Sequence, residues 1–350
     1  MSNPIPKRIL IAGGYPHHLP LEVEKAFFQA GWQTAFFDTS PESPWYRPVI
    51  KPLRKVIHNL RIKRHPQTLD NTRFSNLGWR SARWVQAIRD SRPDLALVIN
   101  GNRFGLPWLR EAAKVCPLAC WMVEPFGRMD KLIEAAQAGV YSRILVYAEN
   151  YVEELRRHGV ESEFYPHHAA ETPPESRVCN FERHYDWSFL GGHSPWREEC
   201  LRSLLAKFPN GFVMGPRWIK VAKRDPVFRS VVHRGYLGKD QSFDLYLDSR
   251  IGLDISTSAQ TDRNGVTMRA VELLACGCRL LCQPNEEIAR LPWDVSPRVL
   301  TFSTPMELLS LLTEELSRPH NSSDQVATMK IACQVSGYQT LVATLSEGIC

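Results

Sequence analysis

Along the chain, short continuous apolar runs alternate with longer stretches of helical period. In the first half the runs are "RILIAGG", "QTAFFDT", "DLALVIN", "LACWMVEP", "SRILVYA" and "SEFYPHHA". Between them lie "PLEVEKAFFQAG", "SARWVQAIRDSR", "GLPWLREAAKV", "DKLIEAAQAG" and "NYVEELRRHG", with apolar residues three and four apart. A run without polar alternation belongs to a strand buried on both faces. The pattern therefore predicts a parallel sheet covered by helices on each side. It pauses at the polar, proline-bearing "ETPPESRVCNFERHY", which reads as a linker. A second series follows: "DWSFLGG", "PWREECLRSLLAKF", "GFVMG", "VVHRGYLG", "SFDLYLDS", "IGLDIST", "NGVTMRAVELLACGCRLLCQ" and "PMELLSLLTEEL".

Two α/β domains suit a chain of 350 residues. They are expected at 1–172 and 183–330. Ligands of such sheets bind beyond the C-terminal ends of the strands, so two of them predict a cleft where those ends meet.

Composition narrows the setting. At 43% hydrophobic and 23% charged, the chain is globular. Nine cysteines show neither a CxxC pair nor a Cys/His spacing of the zinc type, and most of them read as buried, reduced thiols of a cytosolic protein. The N-terminus passes straight into a strand, and no apolar run reaches membrane-spanning length. The net charge of +6 is uneven. From Ser43 to Leu69 there is no acid, while Arg47, Lys51, Arg54, Lys55, Arg61, Lys63 and Arg64 alternate with aliphatics. The stretch 47–64 reads either as a contact to an anionic membrane surface or partner, or as a solvated lid. Its aliphatic character argues against nucleic acid, whose single-strand binders interleave aromatics with the charge.

The stretch "NGVTMRAVELLACGCRLLC" raises a question of its own. If its helix starts near Gly265, then Gly265, Arg269, Glu272 and Cys276 share one face of an otherwise apolar cylinder. An exposed Arg–Glu pair is the plain structural reading. Yet Arg269 precedes Glu272 and adds a cation to the helix's positive end, so structure alone gains little. An anion before the helix would gain from the dipole, the free amides and Arg269 together. Glu272, one turn deeper, suits vicinal hydroxyls. Phosphate followed by ribose is what a nucleotide offers.

"RAVELLACG" resembles the R-x-x-E-x-x-A-x-G segment of GT-B glycosyltransferases, most closely the group related to the spore-maturation protein CgeB. "DWSFLGGHSPWREECLRSL", "VVHRGYLGKDQSFDLYLDSRIGLDIS" and a final crossing helix near "SGYQTLVATL" follow that group's order. The resemblance implies two Rossmann-like domains facing a cleft, with the tail 331–350 returning to the first. It places the ribose on Glu272. Where retaining members carry the first Glu of a Glu-x7-Glu motif, this chain has Asn264, which also suits a helix N-cap. It places the diphosphate by Gly192 and Arg197, with Arg269 and the amides around Val266 and Thr267. It lays "HRGYLG" over the base, read by backbone groups near Tyr236 and Leu237.

Further candidates lie in the first domain. Gly13 and Gly14 close the first strand without forming GxGxxG, and the resemblance turns this loop towards the diphosphate. His17 and His18 follow it. Glu124, ending "WMVEP" among apolar neighbours, is a candidate base with a raised pKa, or a plain capping or ion-pairing Glu. His167 and His168 close "YPHHA".

No Asp-x-Asp metal clamp, GxxxxGK[ST] loop or GxSxG elbow occurs. The reading is a cytoplasmic, metal- and cofactor-independent glycosyltransferase, attached at most to the membrane periphery. Its donor is a nucleoside diphosphate sugar, and its acceptor a glycan, a lipid-linked glycan or a protein. The resemblance implies retention of configuration. An inverting enzyme would need Glu124 or His18 as base. The rival is a non-catalytic nucleotide-sugar-binding or assembly protein that kept the fold, with Asn264 as its best support.

Overall fold

The computed structural model describes residues 6–14, 18–53, 73–123, 129–167, 173, 175–180, 183–256, 265–284, 286–290, 298–319, 322–334 and 338–347. The chain forms two compact units, Met1–Tyr165 with Tyr338–Cys350, and Pro166–Gly337.

The first unit holds strands β1 (Arg8–Gly13), β2 (Gln33–Asp38), β3 (Leu95–Ile99), β4 (Leu118–Met122), β5 (Arg143–Val146) and β6 (Glu163–Phe164). They form one parallel sheet in the order β2-β1-β3-β4-β5-β6. Helices α1 (His18–Gln29), α2 (Asn76–Ser91), α3 (Leu106–Ala113), α4 (Asp130–Gln137) and α5 (Glu149–Arg157) connect them. Strands β3 and β4 are buried at every position, as their unbroken apolar runs require. Helix α2 starts five residues before the expected Ser81, because Ser75 caps it by accepting from the Gly78 amide. Its Trp84 stacks on Phe104, with ring centroids 4.2 Å apart. The final helix, Gln339–Ser346, belongs to this unit. Tyr338 meets Trp121 edge-on, and the Thr340 and Tyr165 hydroxyls lie 2.7 Å apart.

The second unit has strands β7 (Tyr185–Leu190), β8 (Gly211–Met214), β9 (Ser249–Asp254), β10 (Arg279–Cys282) and β11 (Val299–Thr301), again all parallel, in the order β11-β10-β9-β7-β8. Its helices are α6 (Glu175–Asn180), α7 (Pro195–Leu205), α8 (Trp218–Arg224), α9 (Lys239–Leu247), α10 (Met268–Ala275), α11 (Glu286–Arg290), α12 (Pro305–Ser317) and α13 (Ser322–Gln334). One core joins Trp187, Phe189 and Leu253 to α7, α8 and α12. The other joins Leu280 and Cys282 to α9, α10 and α13.

The segment expected as a linker is partly structural. It contains α6, whose Val178 is fully buried in the second core. It also contains Arg183, which donates to the carbonyls of Tyr246, Ser249 and Cys276. At that end of the sheet, arginines meet helix C-termini: Arg250 donates to Leu316 O at 2.8 Å, and Arg279 pairs with the buried Glu315. Cations there oppose the negative ends of the helix dipoles. The expected "VVHRGYLG" element is only a single bridge, Val213 to Val232. "SEFYPHHA" supplies two strand residues. "SFDLYLDS" folds as α9.

In both sheets the first strand lies between the second and the third, so the connections reverse direction between β1 and β3 and again between β7 and β9. Such a reversal leaves a crevice beyond the strand C-termini, where ligands of open α/β sheets bind. Among the described residues the six cysteines Cys116, Cys120, Cys200, Cys276, Cys278 and Cys282 are free and buried, as the expectation of buried thiols requires. Burial pushes the Cys120 thiol up to about 12.

Candidate functional site

The reversal point of the second sheet gathers the charges. Strand β7 ends at Leu190 and turns through Gly191 and Gly192 to Ser194, the N-cap of α7, whose hydroxyl accepts from the Arg197 amide. Arg197 stands in the first turn and is only 6% exposed. Its Nε donates to Ile255 O at 2.7 Å, just past β9, and its Nη1 to Gly192 O at 2.9 Å. The side chain thus ties together the two strand exits that flank the reversal. Its guanidinium also lies 5.3 Å from the Phe189 ring centroid.

Arg269 approaches the same ring, at 5.1 Å. It donates through Nη1 to Asp254 Oδ1 at 2.6 Å. The other oxygen of Asp254 accepts from Thr267 Oγ1 at 2.7 Å. Thr267 in turn caps α10, accepting from the Ala270 amide at 3.1 Å. Asp254 therefore fixes both the start of α10 and its arginine. Burial, and then the charge of Arg269, lower the Arg197 pKa to about 10, with Asp254 opposing. Arg197 therefore remains charged at neutral pH.

The two glycines of the turn differ. A Cβ on Gly191 would lie 2.8 Å from Phe189 and 2.9 Å from Arg269 Nη2, so the absence of a side chain there lets the arginine in. A Cβ on Gly192 would meet nothing within 4 Å, so that backbone faces open space.

These observations correct several expectations. Helix α10 begins at Met268, not near Gly265, because Thr267 is the N-cap. The first-turn amides that the cap leaves open are therefore those of Met268 and Arg269, not those around Val266. Val266 is buried in the core, and Cys276 closes the helix in the interior instead of joining a polar face. Arg269 is no one-sided cation, because Asp254 answers it. Glu272 is buried, at 6% exposure, rather than part of a solvent stripe. Its charge is felt by Tyr246, whose phenol is pushed well above its ordinary value by burial first and by Glu272 second.

Tyr236 is exposed after Gly235, while Leu237 packs beside the small cluster of Phe212, Met214 and Leu245. In the first unit Gly14 follows β1, half-buried, and His18 opens α1. His167 is buried. Glu124, Asn264, His17, His168 and the part of the basic stretch from Arg54 onward lie outside the described residues. The structure thus brings together Gly192, Arg197, Thr267 and Arg269.

Two participants escaped the sequence reading, Phe189 and Asp254. An acidic residue at the C-terminal end of the apolar run "IGLD" was the available signal. Gln283, at the exit of β10, also contributes: its Oε1 accepts from the Ser256 amide at 2.7 Å and links the neighbouring strand exits.

Residues 197–335 match the family model described as glycosyl transferase-like, a span that contains Arg197, Arg269 and Glu272. No curated protein sequence matches the chain. Among solved structures the chain is similar to a sucrose-phosphate synthase from Thermosynechococcus elongatus, at 8% identity over 97% of this chain and 98% of that one, with a TM-score of 0.61. It is similar to a glycosyltransferase from Rickettsia africae ESF-5, at 10% identity over 97% of each chain, TM-score 0.59. It is also similar to the UDP-GlcNAc 2-epimerase of Methanocaldococcus jannaschii in complex with UDP-GlcNAc and UDP, at 12% identity over 98% of this chain and 100% of that one, TM-score 0.53. At these identities the likeness is one of fold, and the fold is that of the GT-B glycosyltransferases.

Proposed function

We propose that the chain is a glycosyltransferase that moves a sugar from a nucleoside diphosphate donor to an acceptor hydroxyl. One observation carries the reading: Arg197 and Arg269 converge on Phe189, with Arg269 paired to Asp254, beside a glycine that opens onto free space. The two guanidiniums, together with the first amides of α10, suit a diphosphate that gains charge as it leaves. Glu272 takes the ribose hydroxyls. The bond from the anomeric carbon to the phosphate oxygen breaks, the acceptor oxygen bonds to that carbon on the same face, and its proton passes to the departing phosphate. Configuration is then retained.

Within the fold we place the chain in the CgeB-like group, on the motif around Arg269 and Glu272. The first unit presents the acceptor, a hydroxyl of a glycan, a lipid-linked glycan or a protein in cell-surface glycoconjugate synthesis. The setting is the cytoplasm, with the stretch 47–64 against the inner face of an anionic membrane. Its described part exposes Val49 and Leu53, while Arg47 is answered by Glu42 at 2.8 Å. No metal is required in this reading, because the two guanidiniums and the first amides of α10 take up the charge of the leaving diphosphate.

A second reading, epimerisation of a nucleotide sugar, is favoured by the likeness to the archaeal 2-epimerase, whose structure holds UDP-GlcNAc and UDP. One experiment separates the two. A thermal-shift screen of UDP, GDP, ADP, CMP and dTDP identifies the base, since a ligand at a hundred times its Kd stabilises by about 2.7 kcal/mol. The matching nucleotide sugar is then incubated with the protein. Acceptor-dependent release of nucleoside diphosphate supports transfer, and an epimer without release supports the second reading. No shift with any nucleoside diphosphate defeats both.

A further inference from the structure

A groove of about 350 Å³ lies in the second unit, apart from the residues gathered around Phe189. Ile219, Ala222, Lys223, Arg229, Val232 and Arg234 line it. Its origin is legible in the local sequence. Trp218 and Val221, three apart on α8, turn inward and are buried, so Ile219, Ala222 and Lys223 form a second face of the same helix. The chain then turns at Pro226–Phe228, buries Phe228 and Val231, and runs alongside β8, where Val232 bridges to Val213. Helix and returning segment make the two walls.

The walls join an apolar floor to unbalanced charge. Among the described residues, Lys223 and Arg234 have no hydrogen-bond or ion-pair partner. Arg229 donates only to the Ala222 carbonyl, at 3.3 Å. Asp225, the single acid between Arg217 and Lys239, is taken by Arg202. Lys220 and Arg217 stand exposed on the same helix and its cap, and extend the cationic rim. Three cations facing a groove without a counter-charge call for an anionic ligand. The apolar lining calls for that ligand to carry hydrocarbon as well. None of the six lining residues is aromatic, so nothing there offers a base a stacking platform.

We propose that this groove seats the headgroup of an anionic phospholipid at a membrane surface. The phosphodiester lies among Lys223, Arg229 and Arg234. The glycerol and first methylenes lie on Ile219, Ala222 and Val232. The contact is peripheral, since no described helix is long and apolar enough to cross a bilayer. It is independent of the proposed transfer reaction and of the stretch 47–64, which belongs to the first unit.

The test is co-sedimentation of the full chain with vesicles of phosphatidylcholine alone, and of phosphatidylcholine mixed with phosphatidylglycerol. Binding is expected only to the mixed vesicles. Each cation at an anionic surface contributes about fivefold, so the double variant Lys223→Gln/Arg234→Gln should bind about 25-fold more weakly. All variants are made in a background with Arg47, Lys51, Arg54, Lys55, Arg61, Lys63 and Arg64 changed to Gln, which removes any contribution of the stretch 47–64. In that background Ala222→Glu, which sets an acid in the groove, should abolish binding. Lys207→Gln, on a different surface cation, should leave it unchanged, and thermal melts confirm that each variant is folded. Equal recovery on both vesicles, or undiminished binding by the double variant, overturns the proposal. So does release by inorganic phosphate at matched ionic strength, which marks a soluble-anion site instead.

Discussion

Arg269 and Asp254 meet at 2.6 Å across the end of strand β9, and the other oxygen of the same carboxylate holds Thr267, the N-cap of helix α10. The carboxylate is 5% exposed and the guanidinium 19%, so the pair is largely removed from water. Removing one partner of a buried pair leaves an unanswered charge and costs about 3–5 kcal/mol. Asp254→Ala should lose stability on that scale in urea titration. Thr267→Val, which deletes the cap but keeps the pair, should lose about 1 kcal/mol. Equal losses in the two variants would mean that the ion pair adds nothing beyond the cap.

The glycine turn gives a sharper contrast. Gly192→Ala places its methyl in open space, so stability should change by no more than about 0.5 kcal/mol. If the diphosphate passes there, nucleotide affinity should still fall, because the methyl occupies the approach. Gly191→Ala drives a methyl against Phe189 and Arg269, and should lower both stability and affinity. Calorimetry and melting of the two variants check this. A Gly192→Ala protein with wild-type affinity would put the ligand elsewhere.

The pH dependence follows from Arg197. Burial and Arg269 hold its folded pKa at about 10, below the ordinary value of 12.5, so the side chain is charged throughout the neutral range and loses its proton as pH rises through about 10. Diphosphate binding that uses this charge should be level from about pH 7 to pH 9 and weaken above about pH 10. A bound anion favours the charged form, so saturating nucleotide should move the limb to higher pH. The measurement is Kd against pH by calorimetry, with dialysis controls for unfolding. An affinity still undiminished at about pH 11 would remove Arg197 from the site.

The contrast between what could be read in the chain and what could not has a physical basis. Strands such as β3 and β4 were legible because parallel strands buried on both faces leave unbroken apolar runs. Arg197 was legible because it is a cation in the first turn of a capped helix, where the dipole disfavours it. Its bond to Ile255 O, 58 residues away, was not. Asp254 went unseen for the same reason. Periodicity compares positions within one element, and this carboxylate reaches Arg269 on helix α10 from the end of strand β9. Helix α6 was read as linker because its polar sequence buries only Val178 among the side chains described there. Strand β11 was missed because it spans three residues, none of them fully buried.

Glu272 offers the most direct test of the nucleotide reading. It stands one turn beyond Arg269 on α10, 6% exposed, with its charge acting on Tyr246. A carboxylate in that setting can accept two hydroxyls at once, and hydrogen bonds to a charged acceptor are the strong ones. Glu272→Gln keeps the shape and one acceptor oxygen but removes the charge. Nucleoside diphosphate binding should weaken by roughly 1–3 kcal/mol, or about 5- to 150-fold. Urea titration of the variant separates this loss of affinity from any loss of fold. The decisive comparison uses a dideoxy nucleotide that lacks both ribose hydroxyls. Wild-type protein should bind it more weakly than the parent nucleotide, and Glu272→Gln should discriminate much less between the two. If the variant discriminates as strongly as wild type, the ribose does not sit on Glu272, whatever the loss in overall affinity.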